Sequence, residues 1–354
     1  MQKSTFGSVR KLKSGRFQAR FLEGGKHVSA GTFATAKEAW KALAAIQTDI
    51  DRGEHVEVEK GRLTFAEHAQ NVLEHRRGDL RDSTVRNWQQ SLRAQLLPTF
   101  GRMAVADITV GDVDRWWAAF KHKAPSRRNS YFVMANIMRY AVRWQIIKSS
   151  PCVIENAGRD VSTKRPDFTV DDFRAVVAHM PLFMGPALWT MFAAHLRVSE
   201  VCGINREDYD RATGILHVRR QYVSHGPRSL GPTKTGAVKK VRLLAPGRAA
   251  LEAHLDSTEG QGWQAMFHGP RGHRMNPRSI QDAWEQAREA AGLPNFHVHD
   301  ARHIGLTLVA QSGVASLRDL MARGGHTTAS AAIRYLHSSA EQDAKVAAAT
   351  DALL

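Results

Sequence analysis

Cysteine is nearly absent: Cys152 and Cys202 are the only two in 354 residues. Two thiols cannot build a disulfide framework or a cysteine-bound zinc site, and their apolar surroundings suit buried, reduced side chains. No run approaches the length of about 18 apolar residues that a membrane-spanning helix needs. The amino terminus is polar and basic and lacks the apolar stretch of a secretion signal, so a cytoplasmic protein is expected. Also missing are a Gly-x-x-x-x-Gly-Lys-Ser/Thr phosphate loop and any carboxylate cluster suited to two metal ions. The scarce charge is the negative one. Against 34 Asp plus Glu stand 50 Lys plus Arg, a net +16, which favours a polyanionic partner.

What the chain does contain falls into three stretches, as its length suggests. Residues 1–60 read as three short strands, at 6–12, 17–22 and 27–33, broken by Ser14-Gly15 and Gly24-Gly25. Thr35 and Glu38 form a capping box ahead of a helix that lasts to Gly53. The open face of this sheet is expected to carry Arg10, Lys11, Lys13, Arg16 and Arg20. The charged stretch 55–60 reads as a linker. From Thr64 to about Ser150 the periodicity is helical, with candidates at 65–76, 83–97, 110–122 and 126–148. Ser83 and Thr109 read as N-caps, and Pro98, Gly101 and Pro125 as breaks. Arg86 lies in the first turns of the second helix. Lys121, Lys123, Arg127 and Arg128 cluster between the third and fourth, where only an anion would relieve their mutual repulsion. Trp116, Trp117 and Trp144 are expected in the core.

Residues 157–168 contain Gly and Pro among polar side chains and read as a hinge. The fold expected is mainly α with small β-sheets. It comprises a small sheet-and-helix N-terminal domain (1–60), a helical domain (61–156) and a mixed α+β domain (169–354) that includes an alanine-rich tail. Within the last domain, 214–224 and 237–244 read as the strands of one hairpin, with a local extension at 224–230.

The chemistry concentrates in that domain. Arg197-Val198-Ser199-Glu200 follows an apolar helix, His299-Asp300-Ala301-Arg302 lies about a hundred residues on, and His326 precedes Tyr335 by nine. His299 and Arg302, three apart on a helix start, share a face and can reach one phosphate. Two arginines, two histidines and one tyrosine are the parts needed to attack a phosphodiester without a metal. Arginines hold the non-bridging oxygens, histidines hydrogen-bond and move protons, and a phenol is the nucleophile. A phenol with a pKa of about 10 is a weak nucleophile at neutral pH and needs dense positive charge around it.

The order and wording of these segments resemble the tyrosine recombinases of the phage integrase type. The family's Gly-Leu-Arg-x-Ser-Glu-Leu stands here as His195-Leu196-Arg197-Val198-Ser199-Glu200-Val201, with His195 where glycine is usual. Its His-Asp-Leu-Arg-His reads His299-Asp300-Ala301-Arg302-His303, and its Leu-Gly-His reads Gly324-Gly325-His326. The resemblance implies Arg197, Lys234, His299, Arg302, His326 and the nucleophile Tyr335 as catalytic residues, with Glu200 in support. Lys234, in Pro-x-Lys-Thr wording, matches the family's hairpin lysine that protonates the leaving 5′ oxygen; Lys239 and Lys240 are its rivals. Asp300 and His303 are assigned to the fold. By the same resemblance the sheet domain binds arm-type DNA sites and the helical domain grips a core-type site. Four protomers would exchange strands through a Holliday junction, with no cofactor and no metal, in a bacterial host cell and nucleoid-associated when DNA-bound. A host DNA-bending protein and an excision directionality factor would be further partners. A nicking-closing topoisomerase with the same site, or a DNA-binding regulator on a decayed version of the fold, are the rival readings.

Overall fold

Ala19 and Phe21 alternate with Arg20 in the second strand, and a pleated strand turns such neighbours to opposite faces. The computed structural model describes residues 6–52, 61–120, 124–158, 166–223, 230–333, 335 and 351. The expected linker at 55–60, Lys121 and Lys123, the extension at 224–229 and nearly all of the tail lie outside the described residues. The chain divides after Thr163 into two compact units.

In the first unit, β1 (Gly7–Lys11), β2 (Phe17–Glu23) and β3 (Lys26–Phe33) form an antiparallel sheet in that order. Helix α1 (Ala36–Asp51), opened by the Thr35–Glu38 capping box, packs Ala39 and Leu43 against Ala19 and Phe21. Arg10 pairs with Gln18 and Ser8 with Arg20, so Arg10 and Arg20 share the opposite, open face. Lys11 does not join them. One residue along the pleat it turns to the helix side, where its Nζ lies 5.9 Å from the centroid of Phe17. Lys13 and Arg16 flank the turn, and Arg16 donates to Thr32 O at 3.0 Å.

The rest of this unit is helical: α2 (Phe65–Arg76), α3 (Asp82–Ser91), α4 (Leu97–Phe100), α5 (Val110–Ala119) and α6 (Ala124–Arg143). Phe65, Leu96, Phe100, Val113, Met134 and Ile137 are fully buried between them. Several boundaries differ from the sequence reading. Arg81, not Ser83, is the N-cap of α3. Pro98 does not end the helix but interrupts it: without an N–H it cannot serve Ala94, and the chain slips into a π-turn at Leu92–Leu96, with Leu97 N donating to Leu92 O. Pro125 sits inside the first turn of α6, where a missing donor is harmless. That helix stops five residues before Lys148 because Gln145 takes a left-handed φ of 55°.

The second unit begins with α7 (Val170–Ala178), α8 (Gly185–Ala193) and the single turn α9 (Val198–Val201). Strands β4 (Tyr209–Asp210), β5 (Ile215–Val218), β6 (Arg220–Tyr222), β7 (Leu230–Pro232) and β8 (Lys239–Arg242) follow. The expected hairpin is two ladders: β5 pairs with β8 in a sheet ordered β4-β5-β8, and β6 pairs with β7 alone. Helices α10 (Ala245–Ser257), α11 (Pro277–Ala290), α12 (Asp300–Gln311), α13 (Leu317–Gly324) and α14 (Ala329–Ile333) complete it. An aromatic stack fixes the frame. Phe173 lies 4.9 Å from Phe192 and 6.1 Å from Trp284, which meets Phe296 edge-on at 5.2 Å. These rings tie α7, α8 and α11 to the segment that leads into α12. Among the described residues no helix is long and apolar enough to cross a membrane. The whole is mainly α with small antiparallel sheets, as expected.

Candidate active site

Helix α8 ends at Ala193, and two residues later His195 adopts φ 53°. This is the left-handed conformation that glycine takes freely, and a β-carbon makes it cost about 1–2 kcal/mol. The conformation aims the His195 carbonyl at two cations: Arg302 Nη1 donates to it at 2.6 Å and Lys239 Nζ at 3.2 Å. Lys239 also donates to Ala194 O at 2.6 Å. The His195 ring is fully buried beside α12, where a β-carbon on Gly305 would come within 2.8 Å of its Cδ2. Burial first, then Lys239, Arg323 and Arg302, push its pKa down to about 2, so the ring is neutral.

Arg197 caps the short α9. Glu200, 3% exposed, accepts from the Arg197 backbone N–H at 2.9 Å and from its Nη1 at 2.5 Å. The same carboxylate lies 3.9 Å from Arg302 Nη1 and is the attractive charge felt by Lys239. One acid therefore faces two guanidinium groups, Arg197 and Arg302, with the Lys239 amine beside them. Burial lowers the Lys239 pKa well below the usual range, against the pull of Glu200 and with repulsion from Arg302, Arg323 and Arg197. Such a centre has uncompensated positive charge and suits an anion.

His299 stands at the N-terminus of α12, with Arg302 one turn on. Arg302 is 2% exposed, and its guanidinium donates to His195 O, Gly324 O and His326 Nε2, the last at 3.2 Å. Because arginine only donates, His326 Nε2 accepts, and the proton of the neutral ring sits on Nδ1. Among the described residues that nitrogen is buried without a protein partner. Burial, then Arg302 and Arg197, push the His326 pKa down to about 4. His299 is lowered too, by burial and then by His303, Arg302 and Arg197. Helix α13 ends on Gly325 at φ 58°, and the His326 ring folds back onto Gly324, whose added β-carbon would meet Cε1 at 2.8 Å. No larger residue fits at 324 with the ring in this position.

Tyr335 is 6% exposed and lies just beyond α14. The His326 ring stacks on it at 5.9 Å with an interplanar angle of 4°. Its hydroxyl is 2.6 Å from His303 Nδ1. His303 was expected to serve the fold only; it touches the phenol instead. Asp300 does serve the fold, since its carboxylate accepts from His297 N at 2.9 Å and so stabilises the start of α12.

Arg197, Glu200, His299, Arg302, His326 and Tyr335 are thus gathered within one centre built from α9, α12 and the α13–α14 segment. Lys234 is not part of it. It is exposed on the turn between β7 and β8, whereas its rival Lys239 is inside. Two site residues were outside the expected catalytic set: Lys239, named only as a rival of Lys234, and His303, assigned to the fold. The only signals were the second histidine of His299-Asp300-Ala301-Arg302-His303 and the alternation of β8, which turns Lys239 and Lys240 to opposite faces. In the other unit Arg127 is committed to a cation–π contact 4.3 Å over Trp117. Arg86 and Arg128 are half-buried on α3 and α6. Among the described residues no group of three His, Cys, Asp or Glu side chains could hold a metal ion.

Residues 185–342 match the model of the phage integrase family, and residues 5–52 that of the phage integrase N-terminal domain. A putative prophage phiRv2 integrase of Mycobacterium tuberculosis is 30% identical over 98% of this chain and 95% of its own. The integrase of Mycobacterium phage D29 is 30% identical over 97% and 95%. In fold, the chain is similar to the Tn1549 transposon integrase in complex with a circular intermediate DNA, with a TM-score of 0.70 at 15% identity. That match covers 82% of this chain and 100% of the other. It is also similar to a lambda integrase tetramer bound to a Holliday junction, with a TM-score of 0.65 at 15% identity over 95% and 97%.

Proposed function

The chain belongs to the phage integrase family, and on that premise we propose that it is a site-specific tyrosine recombinase acting through a 3′-phosphotyrosine on Tyr335. It is a DNA strand-exchange enzyme. The Tyr335 oxygen attacks the scissile phosphorus, the bond to the 5′ oxygen breaks, and a 5′ hydroxyl leaves. The phosphodiester energy is kept in the new covalent bond, so rejoining needs no ATP. Arg197 and Arg302 receive the non-bridging oxygens, with Glu200 holding Arg197 in place. His326 offers its Nδ1–H to one of those oxygens, and His299 closes the same side of the phosphate. Lys234 protonates the leaving 5′ oxygen when its turn is drawn onto DNA, while Lys239, already bound to two carbonyls, props the His195 turn.

The observation that carries this reading is the buried cation centre around Glu200, with Tyr335 stacked on His326 at 5.9 Å. A regulator on a decayed fold would have no reason to keep it. The domain reading goes with it. Residues 1–60 serve arm-type sites through Arg10, Lys13, Arg16 and Arg20, with Lys11 at the sheet edge. Residues 61–156 serve core-type sites through Arg86, Lys121, Lys123, Arg127 and Arg128, and 157–168 is the hinge ahead of the catalytic domain, 169–354. Four protomers exchange strands through a Holliday junction, and a host DNA-bending protein and a directionality factor choose between integration and excision. Two specific sites and an arm domain also distinguish this reading from that of a topoisomerase working as a monomer.

The test is a suicide-substrate assay on nicked duplexes tiled from the DNA that flanks the gene. The wild type is expected to form an SDS-resistant adduct on one duplex without added Mg²⁺, and Tyr335→Phe to form none. Binding without any adduct would favour the regulator.

A further inference from the structure

Attack by Tyr335 requires a group to take its phenolic proton. His303 supplies the geometry for it. It lies on α12 one residue past Arg302, and its Nδ1 is 2.6 Å from the Tyr335 hydroxyl, the short separation of a well-formed hydrogen bond. Its ring sits 5.7 Å from the phenol ring at an interplanar angle of 31° and meets His299 edge-on at 5.0 Å, 85°. Two sides of the imidazole are thus held by aromatic contacts, and one nitrogen is directed at the reacting oxygen. Of the other catalytic candidates, His326 stacks on the ring face, and Arg302 is bound to carbonyls and to His326.

We infer that His303 is a catalytic residue, the general base that takes the Tyr335 proton during cleavage and returns it during rejoining. The inference rests on the reading of Tyr335 as nucleophile. As Tyr335 Oη forms its bond to phosphorus, its proton passes to His303 Nδ1, and the electron pair of the broken P–O5′ bond leaves on the 5′ oxygen, which Lys234 protonates. In the reverse step the 5′ hydroxyl attacks, the phosphotyrosine bond breaks, and His303 gives the proton back to Oη. Nothing is oxidised, and no co-reactant is required. The charged and titratable groups that face the pair are His299 on the same helix, His326 from the segment after α13, and the guanidinium of Arg302 beside Tyr335. A base positioned in this way contributes about 10²–10⁴-fold.

The experiment measures single-turnover adduct formation by the full chain on the nicked duplex, in two forms: the natural phosphodiester and one with sulfur in place of the bridging 5′ oxygen. A thiolate leaves without a proton, so the sulfur substrate relieves defects on the leaving-group side only. His303→Asn keeps an acceptor near the Nδ1 position but cannot carry the proton. It is expected to slow adduct formation about 10²-fold or more on both substrates, whereas Lys234→Ala should recover on sulfur. Duplex binding and thermal midpoint of His303→Asn should match the wild type; if that variant is poorly folded, His303→Ala with added imidazole replaces it, and imidazole is expected to restore a measurable part of the rate. A His303→Asn rate within about threefold of wild type, a defect that vanishes on sulfur, or an alanine variant that imidazole does not rescue would overturn the inference. Failure of the underlying reading looks different: the wild type itself would form no Tyr335-dependent adduct.

Discussion

Gly324 has no room for a side chain. An added β-carbon would sit 2.8–3.0 Å from three atoms of the His326 imidazole, a group that can swing away rather than unfold the protein. Gly324→Ala is therefore expected to leave the thermal midpoint nearly unchanged but to move His326 off Arg302 and Tyr335. A shift of about 1 Å in a catalytic group is worth on the order of 10²-fold in rate, and adduct formation by the variant should fall accordingly; a wild-type rate would show that the stacked position of His326 is incidental. At this scale the sequence was legible where motif and chemistry coincide, as in Arg197, Arg302, His326 and Tyr335. It was not legible for His303, because a histidine that follows Arg302 has a fold-serving role equally open to it until the phenol is seen 2.6 Å away. It chose Lys234 over Lys239 on the local wording alone. One is exposed on a turn and the other is enclosed against two carbonyls, and that difference depends on where β8 lies relative to the end of α8.

Helix α10 approaches α8 so closely that Gly247 is the only residue its position accepts. A β-carbon there would lie 2.2 Å from the Ala193 side chain and 2.7 Å from Trp189 O, and neither the methyl nor the backbone oxygen can step aside. Gly247→Ala is expected to cost about 1–3 kcal/mol through overpacking and to lower the thermal midpoint of the chain by roughly 2–10 °C, with adduct formation retained below the transition. An unchanged midpoint in calorimetry would mean the two helices can part at no cost. Caps were readable in part: Thr35 and Thr109 each open a helix through a side-chain cap with an acid three residues on, as expected, whereas the cap expected at Ser83 falls at Arg81. Elements shaped by backbone exceptions were not. The π-turn at Leu92–Leu96, the early end of α6 at Gln145 and the split of one hairpin into two ladders all come from hydrogen-bond registers that composition does not encode.

For the molecule as a whole, a net charge of +16 and a buried centre with two guanidinium groups around one carboxylate point to one kind of partner, a polyanion. On the proposed reading, the general charge would draw the protein to DNA, and the centre would hold a single phosphate against Tyr335. The chain has five tyrosines, and the other four, Tyr131, Tyr140, Tyr209 and Tyr222, lie outside that centre. Tyr131 accepts from Ile154 N and Tyr209 donates to Glu252, so two of those hydroxyls already have partners of their own. The most direct measurement is to trap the full chain on a nicked duplex, digest both protein and DNA, and locate the nucleotide-bearing peptide by mass spectrometry. A 3′-linked nucleotide on the peptide that contains Tyr335, and on no other, is the expected result. A nucleotide on any of the other four tyrosines, or on a serine, would contradict the site from its nucleophile outward.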